Sequence, residues 1–192
     1  MFYKDETIAV LIDGTSLYAA SRGLGFDIDY KMLRQEFVRR GKLRRICFYT
    51  TISESDEYSS MRPLADWLSY NGYQVECKMV KEYTDSLGHR KIKRQVVVDL
   101  AVGAMELASS VDHLVIFAGD GDLCPAIKSV QRSGVRVSVV STIRTQPAIV
   151  SDELRRQADN FIDLDELKSV IARPAREPSA NVVQKPAMEP AE

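Results

Sequence analysis

Strand-like apolar runs recur along the chain and constrain its fold more than any other feature. The first run, Thr7–Ile12, is apolar after its opening threonine. A continuous run of this kind is typical of a strand that is buried on both faces of a sheet. Further strands are predicted at residues 43–49, 73–79, 113–118 and 135–140.

Segments with a helical pattern lie between these runs. Helices are predicted at residues 29–38, 61–70, 95–108, 123–132 and 152–157, a hairpin at 81–93, and a short last strand at 161–163. Strands that alternate with helices predict an α/β fold, with a mostly parallel sheet of about five strands and helices on both faces. Ligands of such sheets bind beyond the carboxyl ends of the strands.

Length and composition indicate one globular domain. The chain has 192 residues, of which 45% are hydrophobic and 28% charged, and this balance excludes a wholly disordered chain and a disulfide scaffold. Four of the seven prolines fall within the last twenty residues. We therefore predict a single domain over residues 1–172 and a disordered, proline-rich tail over residues 173–192.

The sequence predicts a cytoplasmic protein. No apolar run approaches the roughly 20 residues that a membrane-spanning helix needs. The acidic start of the chain, with Asp5 and Glu6, does not resemble a signal peptide. The three cysteines, Cys47, Cys77 and Cys124, fit neither a zinc site nor a disulfide framework, and they are expected to be small buried thiols.

Positive charge is concentrated in two segments, although the net charge is only -1. One segment spans residues 39–45 and the other residues 78–94. A local basic patch on a neutral protein can bind a polyanion, and the alternative is an ordinary solvated surface.

Aspartates follow two of the predicted strands directly. Asp13 comes after the first strand, and Asp120 and Asp122 come after the fourth, while Asp99 lies in the predicted helix at 95–108. Clustered carboxylates repel one another unless a cation lies among them, and hard oxygen ligands suit Mg²⁺ or Mn²⁺. The alternative is that Asp13 and Asp122 cap the helices that follow them.

Several motifs together resemble a known family, the bacterial LabA-like proteins with a NYN domain, which belong to the PIN-like ribonuclease superfamily. The similarity covers roughly residues 6 to 168. Its main motifs are Ile12–Tyr18, Gly25–Tyr30, Lys81–Asp85, Leu100–Val102, Gly119–Asp122, Gly134–Val137, Ser151–Asp159 and Phe161–Leu164. The resemblance implies a PIN-like fold, a divalent metal at the acidic cluster and metal-dependent cleavage of RNA. A second similarity, of Asp13–Thr15 to haloacid dehalogenase-like phosphatases, is set aside because the nucleophilic aspartate of that family would fall at Leu11.

The resemblance also implies roles for individual residues. Asp13, Asp120 and Asp122 match metal-site positions, and Asp99 matches a further acidic position, so all four are predicted catalytic residues. The predicted cofactor is Mg²⁺ or Mn²⁺, and the predicted partner is RNA. The predicted RNA-binding residues are Ser16, Lys81, Arg90, Lys91, Lys93 and Arg94.

The sequence departs from the family pattern within the same site. Ser16 stands where the family has asparagine, and Val97 and Gly103 each stand where it has aspartate. Asp99 does not replace position 97 directly, because two residues along a helix point about 160° apart. The alternative function is therefore a catalytically degenerate NYN domain that acts as an RNA-binding or protein-interaction module.

The oligomeric state stays open between a monomer and a homodimer. Trp67, on the predicted helix at 61–70, is an apolar residue that could lie in the core or at a dimer interface. We expect it in the core, with a dimer interface as the alternative.

Overall fold

The computed structural model describes residues 2–53, 61–80, 82–84, 90–92 and 96–174, with residues 53, 80, 82–84 and 90–92 described by their backbone alone. The predicted tail beyond residue 174 lies outside this part, and the domain boundary at residue 172 stays a prediction. Within the described residues, no helix is both long enough and apolar enough to cross a membrane.

Six parallel strands form the central sheet. They are β1 (Thr7–Asp13), β2 (Lys42–Ser53), β3 (Gln74–Val80), β6 (His113–Phe117), β7 (Arg136–Ser141) and β8 (Asn160–Asp163), in the spatial order β3-β2-β1-β6-β7-β8. β4 (Glu82–Thr84) and β5 (Arg90–Ile92) form a separate antiparallel pair. The predicted α/β class, parallel sheet and hairpin are confirmed, and the short last strand brings the sheet to six strands.

Seven α-helices are described. They are α1 (Gly14–Gly23), α2 (Tyr30–Arg40), α3 (Met61–Tyr70), α4 (Val97–Leu107), α5 (Cys124–Arg132), α6 (Asp152–Gln157) and α7 (Leu164–Ile171). The sequence analysis predicted neither α1 nor α7. Both begin directly at the end of a strand, without the polar loop that normally marks a new element.

Alternate residues of β1 face two separate hydrophobic cores. Ile8, Val10 and Ile12 pack on one face with side chains of α1, α2, α3 and α7. Ala9 and Leu11 pack on the other face with side chains of α4, α5 and α6. This alternation explains the unbroken apolar run of β1, because neither of its faces meets water.

Two predictions about individual side chains are wrong. Trp67 is 40% exposed because α3 turns Ala65 and Leu68 inward instead. Of the three free cysteines only Cys47 is buried, since Cys77 is exposed on the edge strand β3 and Cys124, at the start of α5, is half-buried. Cys124 packs at the margin of the core that Ala9 and Leu11 face.

Candidate functional site

Asp13 ends β1 and caps α1, so one residue closes a strand and opens a helix. Its Oδ1 accepts hydrogen bonds from the backbone N–H groups of Thr15, at 2.9 Å, and Ser16, at 3.3 Å. Its Oδ2 accepts the hydroxyl of Ser16 at 2.5 Å. The carboxylate is 7% exposed, and these three donors fix its orientation. The alternative interpretation of Asp13, as a helix cap, is therefore borne out.

Asp120 and Asp122 lie in the loop after β6. Asp120 caps a short 3₁₀ helix at Gly121–Leu123, where its Oδ1 accepts the N–H of Asp122 at 2.9 Å. Asp122 caps no helix and is exposed, while the residue preceding α5 is Leu123. The capping prediction for Asp122 is therefore wrong, and Asp120 performs that role instead.

The two aspartate-bearing strands are neighbours in the sheet. β1 pairs with β6 in parallel, with Ile12 opposite Phe117. Asp13 and the loop at 119–122 therefore leave the same edge of the sheet side by side, as the sequence predicted. On its other side Asp13 pairs with Tyr49 of β2.

The segment before α6 packs onto the same edge. The N–H of Ser151 donates to the carbonyl of Gly119 at 2.9 Å. A Cβ on Gly119 would lie only 3.0 Å from the backbone carbonyl carbon of Ile149, so the close approach requires glycine. A Cβ on Gly121 would lie 3.4 Å from Oε2 of Glu153, which brings a further carboxylate to this loop. The sequence analysis assigned Glu153 only to a helix start, because its nearness to Gly121 depends on tertiary packing.

Asp99 has a cationic partner. Its Oδ2 lies 2.9 Å from Nζ of Lys78 on β3, and both side chains are half-exposed. The pair lines a cavity of 160 Å³ together with Tyr49, Glu76, Cys77 and Val96. The structure thus places the Asp99 carboxylate beside β3, and its catalytic role stays a prediction.

Tyr49 fills the space next to Gly103. A Cβ at position 103 would lie 3.1 Å from Cζ of Tyr49, and it would clash with the Tyr49 hydroxyl. Burial raises the pKa of Tyr49 well above its usual value, and the nearby Cys47, Glu76 and Glu106 raise it further. The Tyr49 phenol is therefore neutral at any physiological pH.

Comparison with known proteins now identifies the family, because the NYN domain model matches residues 7–165. The chain belongs to the NYN domain family. It is 29% identical over 180 residues to the low amplitude and bright protein LabA of Synechococcus elongatus, covering 92% of this chain and 93% of LabA. The crystal structure of a protein of unknown function from Vibrio parahaemolyticus, VPA0982, superimposes with a TM-score of 0.70. Its identity is 22%, with 89% of this chain and 99% of that chain covered.

The predicted LabA-like NYN domain and its PIN-like fold are thereby confirmed. The structure shows the surroundings of Ser16, Val97 and Gly103, at which the sequence departs from the pattern that the family resemblance implies. Val97, at the start of α4, is half-buried and packs against the core on that face. The Ser16 hydroxyl is engaged by Asp13, and Gly103 faces Tyr49.

The donor set of this NYN domain permits only a sparsely ligated metal. Among the described residues, no group of three or more His, Cys, Asp or Glu side chains has the spacing of a metal site. Asp13 and Asp120 nevertheless present hard carboxylate oxygens from adjacent strands. Such a set fits an ion that takes one or two carboxylates and fills its remaining positions with water and substrate oxygens, as Mg²⁺ does.

The predicted RNA-binding residues are only partly within the described chain. Ser16 lies at the acidic edge, whereas Lys81, Lys93 and Arg94 fall outside the described residues. Arg90 and Lys91 belong to β5, where the backbone alone is described. Their contacts with RNA stay predictions.

Proposed function

We propose that this NYN domain is a metal-dependent ribonuclease that cleaves RNA phosphodiester bonds at the carboxyl-terminal edge of its sheet. The observation that carries the proposal is the anchoring of Asp13 and Asp120 at the ends of adjacent strands, each by hydrogen bonds that fix its carboxylate. Family membership supports it, because the NYN domain belongs to a superfamily of ribonuclease-like proteins.

Each acid at the edge has a proposed role. Asp13 and Asp120 would supply the direct carboxylate ligands of Mg²⁺ or Mn²⁺, Asp122 would bind it through water, and the ion when bound neutralises phosphate charge and acidifies water. Asp13 is the rigid member, since three donors orient it. Glu153, close to Gly121, is placed to accept a proton or to orient water beside the substrate.

RNA would approach this edge along its backbone phosphates. The N-termini of α1 and α6 both open at the edge, because Asp13 and Ser151 cap them there. These caps already accept the N–H groups of Thr15, Ser16 and Leu154, so the basic segment at 78–94 would guide the strand. We also propose a cytoplasmic location, and a homodimer stays the alternative to a monomer, with the exposed Trp67 as its candidate contact.

The decisive assay is cleavage of a labelled mixed RNA pool with Mn²⁺, with Mg²⁺ and with EDTA. Wild-type protein should cut only with metal, and Asp13→Asn and Asp122→Asn should each abolish cutting. Asp152→Asn is the matched control, because it removes one carboxylate from a side chain that is 83% exposed. Wild-type rates in both Asp13→Asn and Asp122→Asn would refute the proposal.

Two contacts favour a second candidate, a catalytically degenerate NYN domain that binds RNA or a protein. Lys78 neutralises Asp99, and Tyr49 fills the space beside Gly103, so the edge lacks acids that the family pattern includes. In the same assay, a folded wild type that retains RNA at low salt and cuts nothing would support this candidate. Metal-dependent cutting would exclude it.

A further inference from the structure

A basic cavity lies at the edge of the sheet opposite the acidic residues. Its volume is 410 Å³, within the range of ligand sites. It opens where β2 and β3 begin, beside the turn between α3 and β3. Its lining consists of Arg34, Leu43, Arg44, Arg45, Ile46, Gly72, Tyr73 and Gln74.

The three arginines of this cavity have no carboxylate partner among the described residues. The ion pairs of that part of the chain involve other cations, and Arg34, Arg44 and Arg45 take part in none of them. The neighbouring Arg39 and Arg40 differ, because both bind the buried carboxylate of Glu36. No ion pair among the described residues therefore neutralises these three arginines.

Gly72 lets the Arg34 side chain lie against the turn. Gly72 has φ +84°, and a Cβ there would be 3.0 Å from Nε and 3.3 Å from Cζ of Arg34. The same packing buries Nε, which has no hydrogen-bond acceptor in the described structure. The guanidinium thus lies close to the Gly72 turn, and its outer nitrogens form no ion pair with a carboxylate in the part of the chain that the structure describes.

A β-bulge brings the other two arginines together. Ile8 pairs with Leu43 and Ala9 with Arg45, so Arg44 is an extra residue in β2. Bulges re-aim side chains that regular alternation would send to opposite faces. Arg44 and Arg45 both line the cavity.

We propose that this cavity binds a terminal phosphate group, either of an RNA 5′ end or of a free mononucleotide. A phosphate monoester carries about −1.5 to −2 charges at neutral pH and accepts paired hydrogen bonds from guanidinium groups. Three arginines that line one cavity and form no ion pair among the described residues match that charge better than they match a single carboxylate. Leu43 and Ile46 supply an apolar wall for the sugar or base attached to the phosphate.

The cavity is separate from the proposed cleavage site. Arg45 pairs with Ala9, which lies four residues before Asp13 on β1. Because a strand rises about 3.3 Å per residue, Ala9 and Asp13 are about 13 Å apart along β1. A phosphate in the cavity is not the one that would be cut at Asp13. The inference therefore does not depend on cleavage.

The first test is calorimetric titration of inorganic phosphate and of AMP into the full chain, at an ionic strength held constant with chloride. We expect saturable binding that weakens at least about tenfold in Arg34→Gln and in Arg44→Gln, because each loses charged hydrogen bonds. Arg132→Gln is the matched control, since Arg132 ends α5 on the other face of the sheet. Thermal unfolding checks each variant, and the exposed Arg44 provides the test if Arg34→Gln does not fold.

The second test separates the two sources of phosphate. Short RNAs that differ only in a 5′ phosphate or a 5′ hydroxyl are titrated into Asp13→Asn, so that cleavage cannot alter the ligand. Tighter binding of the phosphorylated RNA, lost with Arg44→Gln, would assign an RNA end. Binding of AMP with no preference between the RNAs would assign a mononucleotide.

Either of those results supports the phosphate site, whether or not the wild type cuts RNA. Absence of saturable binding by phosphate, AMP and the phosphorylated RNA would overturn it. Equal weakening by Arg132→Gln and Arg44→Gln would overturn it as well, because binding would then reflect overall charge alone.

Discussion

Tyr49 and Gly103 have complementary shapes: the Tyr49 ring occupies the space into which a side chain at position 103 would project. A Cβ there would lie 3.1 Å from Cζ of Tyr49 and 3.7 Å from Cδ2 of Leu11. Position 103, where the family resemblance implies an acid, is thus filled by the phenol of Tyr49 on β2. An aspartate at position 103 would have to displace that ring.

Gly103→Ala tests this contact. Replacing glycine by alanine inside a helix normally stabilises by about 0.5–1 kcal/mol, whereas overpacking a core costs about 1–3 kcal/mol. We expect the clash to dominate, so that Gly103→Ala lowers the free energy of unfolding by about 1 kcal/mol. Denaturant unfolding in wild-type and Tyr49→Phe backgrounds measures the coupling. A cost that is the same in both backgrounds would show that the Tyr49 hydroxyl is not the obstacle.

Val97→Asp tests whether the acidic edge lacks a ligand. Val97 is half-buried toward the core of its face, while its neighbour Val98 is 70% exposed. An aspartate at position 97 should raise Mn²⁺ affinity by on the order of tenfold, because the family resemblance implies a metal-site aspartate at that position. Calorimetry with Val98→Asp supplies the control of equal charge. Equal gains in both variants would mean that the added charge alone is responsible.

Asp13 has a structural role that must be separated from its proposed catalytic one. Asparagine caps a helix about as well as aspartate, whereas alanine caps poorly. We expect Asp13→Asn to retain wild-type stability and Asp13→Ala to lose about 1–2 kcal/mol, measured by thermal unfolding. If Asp13→Asn is less stable than Asp13→Ala, a loss of RNA cleavage in Asp13→Asn cannot be assigned to catalysis alone.

His113 predicts how stability depends on pH. The side chain is fully buried at the start of β6, and its Nε2 shares a hydrogen bond with Ser138 Oγ at 2.8 Å. The pKa of His113 is lowered from 6.5 to about 4, chiefly by burial and then by the charge of Arg136, against an opposing effect of Glu6. Protonation of His113 therefore favours the unfolded state.

The sign of the effect follows from the lowered pKa. The unfolded chain takes up a proton at this histidine below about pH 6.5, while the folded chain does so only near pH 4. Stability should therefore fall as the pH drops from 7 to 5, by about 2 kcal/mol. Urea unfolding of wild type and His113→Gln across that range measures the difference. If the free energy of unfolding changes equally with pH in both proteins, titratable groups other than His113 control the pH dependence.

Most of the fold could be predicted from the sequence, because strands and helices leave local patterns. The strand at Thr7–Asp13 and the helices at Met61–Tyr70 and Asp152–Gln157 were predicted within one residue. The helix Gly14–Gly23 was not predicted, since its start coincides with the strand end and its only marker is the capping carboxylate of Asp13. The candidate site was predicted less completely, and Glu153 gave no local signal of its place beside Gly121.

By itself the sequence determined the α/β class, the order of the elements, and the delivery of Asp13 and Asp120 to one edge of a parallel sheet. These properties depend on hydrophobic period and on turns, which act over a few residues. Only the tertiary structure decided that Lys78 neutralises Asp99, that Tyr49 closes position 103, and that Arg34 joins two arginines of β2 around a cavity. The physical reason is that each of these contacts joins residues distant in the chain, so it depends on strand register and helix packing.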